Sequence, residues 1–161
     1  MPEYYKLNQS GYQKTKEKNF EGAIQDFDSS IKLNDAYWPA YLNRGTSYAI
    51  EGNCKSAMAD FNKSISLHPH NPFAFDNRGL CKSEMHDSIG AIADFRQALA
   101  LDSKYNIVYT HLGLILANLD SCEQAIYYLK IAQERKAYDP CNNEQLVIQM
   151  ISKCEGMLAK P

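Results

Sequence analysis

The chain has 161 residues, 45% of them hydrophobic and 22% charged, with a formal net charge of −2. That balance suits one soluble domain and lacks the cationic excess of a nucleic-acid binder; no stretch approaches the ~20 apolar residues that cross a bilayer, so membrane insertion is not expected. The five cysteines form no Cys-x-x-Cys pair and no apolar run follows a basic start, which argues against a disulfide framework or a four-cysteine zinc site and predicts a reducing, cytoplasmic setting with the thiols as small packing groups.

Taken in order, the chain repeats itself. Gly11, Gly45, Gly79 and Gly113 are spaced by 34 residues, and so are Ala23, Ala57, Ala91 and Ala125. Phe27, Phe61 and Phe95 keep the same interval, with Leu129 in the last copy. A period of this length is a pair of helices joined by short turns. The second helix of the first copy shows Phe20, Ala23, Ile24, Phe27 and Ile31, steps of three and four that mark one helical face. Repeats are predicted at 4–37, 38–71, 72–105 and 106–139. Turns are expected inside the copies near Lys18, Gly52, His86 and Asp120, and between them near Asn34-Asp35, His68-Pro69-His70, Asp102-Ser103 and Asp139-Pro140. A mid-helix glycine costs about 0.5–1 kcal/mol relative to alanine, so four at one phase require close approach of the second helix. The alanine column is the expected other side of that contact. Beyond Pro140, Val147, Met150, Ile151, Cys154, Met157 and Leu158 form a stripe. It predicts a capping helix over 142–159, started by Asn142 or Asn143 and laid on Ile126, Tyr128 and Leu129.

Within this period the second copy carries Tyr41, Arg44-Gly45, Tyr48, Ala57-x-x-x-Phe61 and Pro69. The third carries Phe75, Arg78-Gly79 and Ala91-x-x-x-Phe95, and the fourth Tyr109, Leu112-Gly113 and Ala125-x-x-x-Leu129. The pattern resembles the tetratricopeptide repeat over about residues 4–139, with arginine for leucine before two glycines and one closing proline kept. The resemblance implies an all-α fold, a right-handed α-α superhelix of four helix pairs plus the C-terminal capping helix. It also implies that the first helix of each pair lines a concave groove. The positions on that lining are Tyr5, Asn8, Tyr12, Thr15 and Lys16; Pro39, Leu42, Asn43, Thr46 and Ile50; Phe73, Asp76, Asn77, Leu80 and Glu84; and Ile107, Thr110, His111, Leu114 and Asn118. The expected partner-binding set is Tyr12, Leu42, Asn43, Thr46, Phe73, Asp76, Asn77, Leu80, Ile107, Thr110, His111 and Leu114. The side-chain amides of Asn43 and Asn77 could hold a peptide backbone or bond within the array. One branch of the family grips a C-terminal carboxylate with lysine, asparagine and arginine. The matching positions here keep an asparagine and lose every cation, so that ligand is not expected.

Catalytic signals are absent: no nucleophile elbow, phosphate loop or paired zinc histidines. His68 and His70 read as turn residues rather than metal ligands. Asp26, Asp60 and Asp94 recur at one repeat position, which points to a structural role beside lysine or arginine. The expectation is therefore a non-enzymatic adaptor or scaffold, without cofactor or metal, that binds a protein or extended peptide in the groove, with a homodimer also open. A dedicated chaperone for an aggregation-prone client is the alternative. An enzyme or its regulatory piece ranks below both.

Overall fold

The computed structural model describes residues 1–136 and 144–159. Its described elements are helices only: α1 Glu3–Lys16, α2 Phe20–Leu33, α3 Trp38–Ile50, α4 Cys54–Leu67, α5 Pro72–Glu84, α6 Ser88–Leu101, α7 Ile107–Asn118, α8 Cys122–Glu134 and α9 Glu144–Leu158. Consecutive helices pack as hairpins, and the hairpins stack so that α1, α3, α5 and α7 form an inner row. The expected helix start at Asn142 or Asn143, the turn at Asp139-Pro140 and the last residues of the fourth predicted copy lie outside the described residues.

Local chemistry explains the hairpin turns. Asn19 Oδ1 accepts from the backbone N–H of Gly22 at 3.1 Å, Asn53 Oδ1 from Ser56 at 3.1 Å, and Asp87 Oδ1 from Gly90 at 2.9 Å. Each bond satisfies an N–H that the first turn of a helix leaves unpaired. The residue just before each cap is left-handed: Lys18 (φ 62°), Gly52 (φ 78°), His86 (φ 62°) and Asp120 (φ 54°). One copy alone places glycine there, although glycine bears that backbone without steric penalty.

The glycine column has the predicted purpose and a different partner. A Cβ built on Gly11, Gly45 or Gly79 would sit 2.7, 2.8 and 2.7 Å from a ring carbon of Phe27, Phe61 and Phe95. On Gly113 it would sit 2.6 Å from Leu129. The opposing group is therefore the phenylalanine column, not the alanine column. Phe27, Phe61 and Leu129 are fully buried, and a bulky side chain set against a backbone without Cβ lets the two helices approach this closely. Ala23, Ala57, Ala91 and Ala125 are fully buried as well. Their small size serves the packing around that contact.

The recurring aspartates bind the hairpins. Arg44 lays a two-pronged guanidinium on Asp60 (Nε–Oδ2 2.8 Å, Nη2–Oδ1 2.6 Å) and turns Nη1 to Asp28 of the preceding hairpin. Arg78 repeats this one period on, with Asp94 at 2.8 and 2.7 Å and Asn62 at 2.7 Å. The hydrogen bonds that Arg44 donates to Asp60, and then the one to Asp28, hold its guanidinium above the usual range against the opposing effect of burial. The arginine that departs from the repeat pattern is thus a clamp across three helices. In the first hairpin Asp26 takes Ser10 and Lys14 instead, and in the fourth the two positions are Leu112 and Tyr128, without charge.

Helix α9 ends the stack. Val147 and Ile151 cluster with Leu129 and Leu114, while Cys154 and Met150 enter the cluster that holds Ile126 and Tyr128. It packs on α8 and along one edge of α7, as α3 packs on α2 and α1. That is the place the first helix of a further hairpin would take, and its stripe covers the apolar face that the last hairpin would otherwise expose.

Two substitutions test these contacts. Gly45→Ala is expected to destabilise by about 1–3 kcal/mol in urea unfolding despite alanine's better helix propensity, because the methyl meets the Phe61 ring. His86→Gly is expected to stabilise by roughly 0.5–1 kcal/mol by relieving the left-handed backbone.

Candidate interaction groove

Because α1, α3, α5 and α7 carry their lining residues at one phase, the inner row presents a continuous face. Its exposed apolar groups are Tyr12 (45% exposed), Ile50 (58%), Phe73 (51%) and Leu80 (38%). Between α3 and α5 it hollows into a cavity of about 320 Å³ bordered by Thr46, Ile50, Asn77, Leu80, Cys81 and Glu84. Of these, Cys81 was not foreseen as a lining residue, since a lone cysteine in a helix reads as packing.

The remaining expected residues divide. Leu42, Asn43, Thr46, Asn77, Ile107, His111 and Leu114 are partly buried. Leu42 and Ile107 lean on core clusters, and Leu114 packs with Leu129, Val147 and Ile151. The seam is therefore shorter than the spacing predicts. Asp76 (2% exposed) and Thr110 (fully buried) are sealed beneath the face, and contact with a partner is closed to them. Sequence spacing gives the direction of a side chain and not the depth to which a neighbouring helix covers it.

Polar side chains tie the row together. Asn43 donates through Nδ2 to Oδ1 of the buried Asn8 at 3.0 Å, and His111 Nδ1 meets Asp76 Oδ1 at 2.8 Å. Asn8 and Asp76 hold one repeat position, and Asn43 and His111 the next. The second hairpin has Leu42 where Asn8 and Asp76 stand, so Asn77 donates to Thr46 Oγ1 at 3.1 Å. Asp76 also accepts from the Tyr105 hydroxyl at 2.8 Å. Burial, and then the Asp76 carboxylate, push the Tyr105 phenol up. Phe73 in turn stands edge-on to the Tyr105 ring at 4.7 Å. The amides of Asn43 and Asn77 are thus used within the array through their NH₂ groups. Their carbonyl oxygens make no hydrogen bond among the described residues.

No group of three or more histidine, cysteine, aspartate or glutamate side chains suited to a metal occurs among the described residues. His68, one of the turn pair, stacks on Trp38 at 4.7 Å. No described helix is long and apolar enough to cross a membrane.

Helical hairpins in series, with their first helices in one inner row, define an α-α superhelical repeat protein. The sequence model of the tetratricopeptide repeat matches residues 39–71, the hairpin of α3 and α4. The fold is similar to that of MamA, at 20% identity and a TM-score of 0.82 over 95% of this chain and 81% of that one. YrrB, described as having an unusual peptide-binding site, aligns at 17% identity and a TM-score of 0.78 over 94% and 76%. The first repeat domain of Spaghetti (RPAP3), bound to the HSP90 peptide SRMEEVD, aligns at 19% identity and a TM-score of 0.71 over 73% and 93%. No curated protein matches the sequence. The hairpin of α3 and α4 is thus a tetratricopeptide repeat by sequence, and the whole chain shares the fold of proteins built from such repeats.

Removing the carboxylate that joins α5, α7 and Tyr105 is expected to loosen the row. Asp76→Ala should cost about 1–3 kcal/mol, by leaving the Tyr105 hydroxyl and the imidazole unpaired, in chemical unfolding.

Proposed function

We propose that this chain is a non-enzymatic interaction module that holds an extended segment of a partner protein along α1, α3, α5 and α7. The observation that carries this reading is the hollow between α3 and α5, with exposed Ile50 and Leu80 at its edge and exposed Phe73 further along α5. Solvent-facing apolar groups gathered at a concave place mark an interaction surface. An aliphatic side chain of the partner fills the hollow, and the free carbonyl oxygens of Asn43 and Asn77 accept backbone N–H groups beside it. Glu84 stands at the rim, exposed and without an ion pair among the described residues. It favours a basic residue next to the aliphatic one.

The same face speaks against an acidic tail such as the one bound to the Spaghetti domain. A carboxylate drawn out of water needs charged donors. The positions expected to supply them hold Asn8, Tyr12, Asn43, Phe73 and Asn77, and Asn8 is buried in its bond with Asn43. Nucleic acid fits no better, because Lys16 alone among the lining residues is cationic, and its ammonium lies over the Tyr12 ring at 4.5 Å.

The test uses peptides selected on the intact protein from a displayed random library. Leu80→Asp and Ile50→Asp should each weaken the selected peptides at least about tenfold by calorimetry, with helicity unchanged. Ile89→Asp, 84% exposed on α6, should leave affinity as it was. Undiminished binding to the first two variants would remove the groove from this role. If Asn43→Ala with Asn77→Ala leaves affinity intact, the amides hold only the array.

A further inference from the structure

Four of the five cysteines stand in two matched pairs that the groove reading leaves unused. Cys54 opens α4, and its sulfur lies 2.8 Å from that of Cys81 on α5, against about 2.05 Å for a disulfide bond. Cys122 opens α8 at the same repeat position, two periods later; its thiol donates to Met157 Sδ at 3.8 Å and shares one buried cluster with Cys154 on α9. Since α9 takes the place of a further first helix, both pairs join the start of a second helix to the helix that follows it. Each outer thiol also lies at a hollow of its own. One, of about 300 Å³, is bordered by Gly52, Asn53, Cys54 and Lys55. The other, of about 280 Å³, is bordered by Asp120, Ser121, Cys122 and Glu123, the same four repeat positions. Cys54 and Cys122 are 6% and 4% exposed, while Cys81 and Cys154 behind them are 1% and 0% exposed. All four are buried, the outer member of each pair the less completely.

We propose that Cys54–Cys81 and Cys122–Cys154 are paired oxidation sites, each converted by a hydroperoxide into a disulfide, the first stapling two neighbouring hairpins and the second tying the last hairpin to α9. The Cys54 thiol gives its proton to Glu84, whose Oε2 accepts the S–H at 3.0 Å. Its sulfur attacks one peroxide oxygen, the O–O bond breaks, and the second oxygen leaves as water with the proton that Glu84 returns. The Cys81 sulfur then attacks the resulting sulfenic sulfur, the S–S bond forms, and the hydroxyl leaves as water with the Cys81 proton. Two thiols and one hydrogen peroxide become one disulfide and two waters, and the peroxide is the two-electron oxidant. Cys122 and Cys154 follow the same balance. Burial first, then the neighbouring thiol and Glu84, push the Cys54 thiol well up, and burial lifts Cys154 to about 11. At the first site the reacting thiolate is scarce at neutral pH, so that site oxidises slowly and faster as pH rises. The first staple ties α4 to α5, and Cys81 borders the groove hollow, so the oxidation state acts on the face that meets a partner.

The reduced full-length chain is treated with hydrogen peroxide at neutral and at mildly alkaline pH, alkylated, digested and mapped by mass spectrometry. Expected are a monomer with two cross-linked peptide pairs, 54 to 81 and 122 to 154, the first formed faster at the higher pH, with Cys141 alkylated. The thermal midpoint should rise on the order of 5–10 °C and fall back with dithiothreitol. Cys54→Ser should lose the first cross-link alone and Cys122→Ser the second alone. Cys54→Ala replaces the serine variant if that one fails to fold, and the map of the unaltered chain stands without either. Other pairings, cross-linked dimers, sulfinic acid at Cys54 beside an unreacted Cys81, or no cross-link at either pH would overturn the proposal.

Discussion

The structure depends on one contact made four times: a buried side chain pressed against a glycine backbone inside each hairpin. Phe27, Phe61 and Phe95 lie flat on Gly11, Gly45 and Gly79, and Leu129 does the same on Gly113. The gap to an added methyl is far below van der Waals distance, so the spacing of the two helices is set by the absence of a Cβ. Interiors are close-packed and transmit such constraints. Once the hairpin has that spacing, its inner and outer faces are fixed, and each hairpin offers the next the same surface to stack on.

Stacking then uses two polar systems. Between the second helices and the row, Arg44 and Arg78 each grip an aspartate of their own hairpin and an acceptor on the preceding one. A planar guanidinium suits this better than lysine, since its fork engages two acceptors in fixed directions. Along the inner row, Asn43, Asn77 and His111 reach back one hairpin each. The fourth hairpin gives up the arginine clamp for Leu112 and Tyr128 and carries the largest apolar cluster, which α9 closes. The array is therefore polar-stapled at its start and apolar at its end.

This division governs what remains for a partner. Asn8 and Asp76, which tie the row, are withdrawn into it, and Thr110 is buried as well. What faces outward is the apolar rim of Ile50, Phe73 and Leu80 and the half of each amide that the array does not use. The cysteine pairs sit where one unit meets the next, Cys54 and Cys81 in the cluster that holds Phe61, and Cys122 and Cys154 in the one that holds Phe95.

The sequence by itself determined the helices and their order, because a period carried by glycine, alanine and phenylalanine survives without knowledge of any neighbour, and the family resemblance added which helices line the inner row. Arg44 and Arg78 could be seen to break the family pattern, and Asp60 and Asp94 could be seen to recur. Only the tertiary structure paired them, since each pair is 16 residues apart and meets by virtue of the hairpin. It also decided that the glycines face phenylalanine rather than alanine, that Asp76 and Thr110 are sealed, and that Asn43 and Asn77 are half occupied. Periodicity reports the direction in which a side chain leaves its helix. The depth of cover and the partner come from the next helix, whose distance is set by packing between residues remote in the chain.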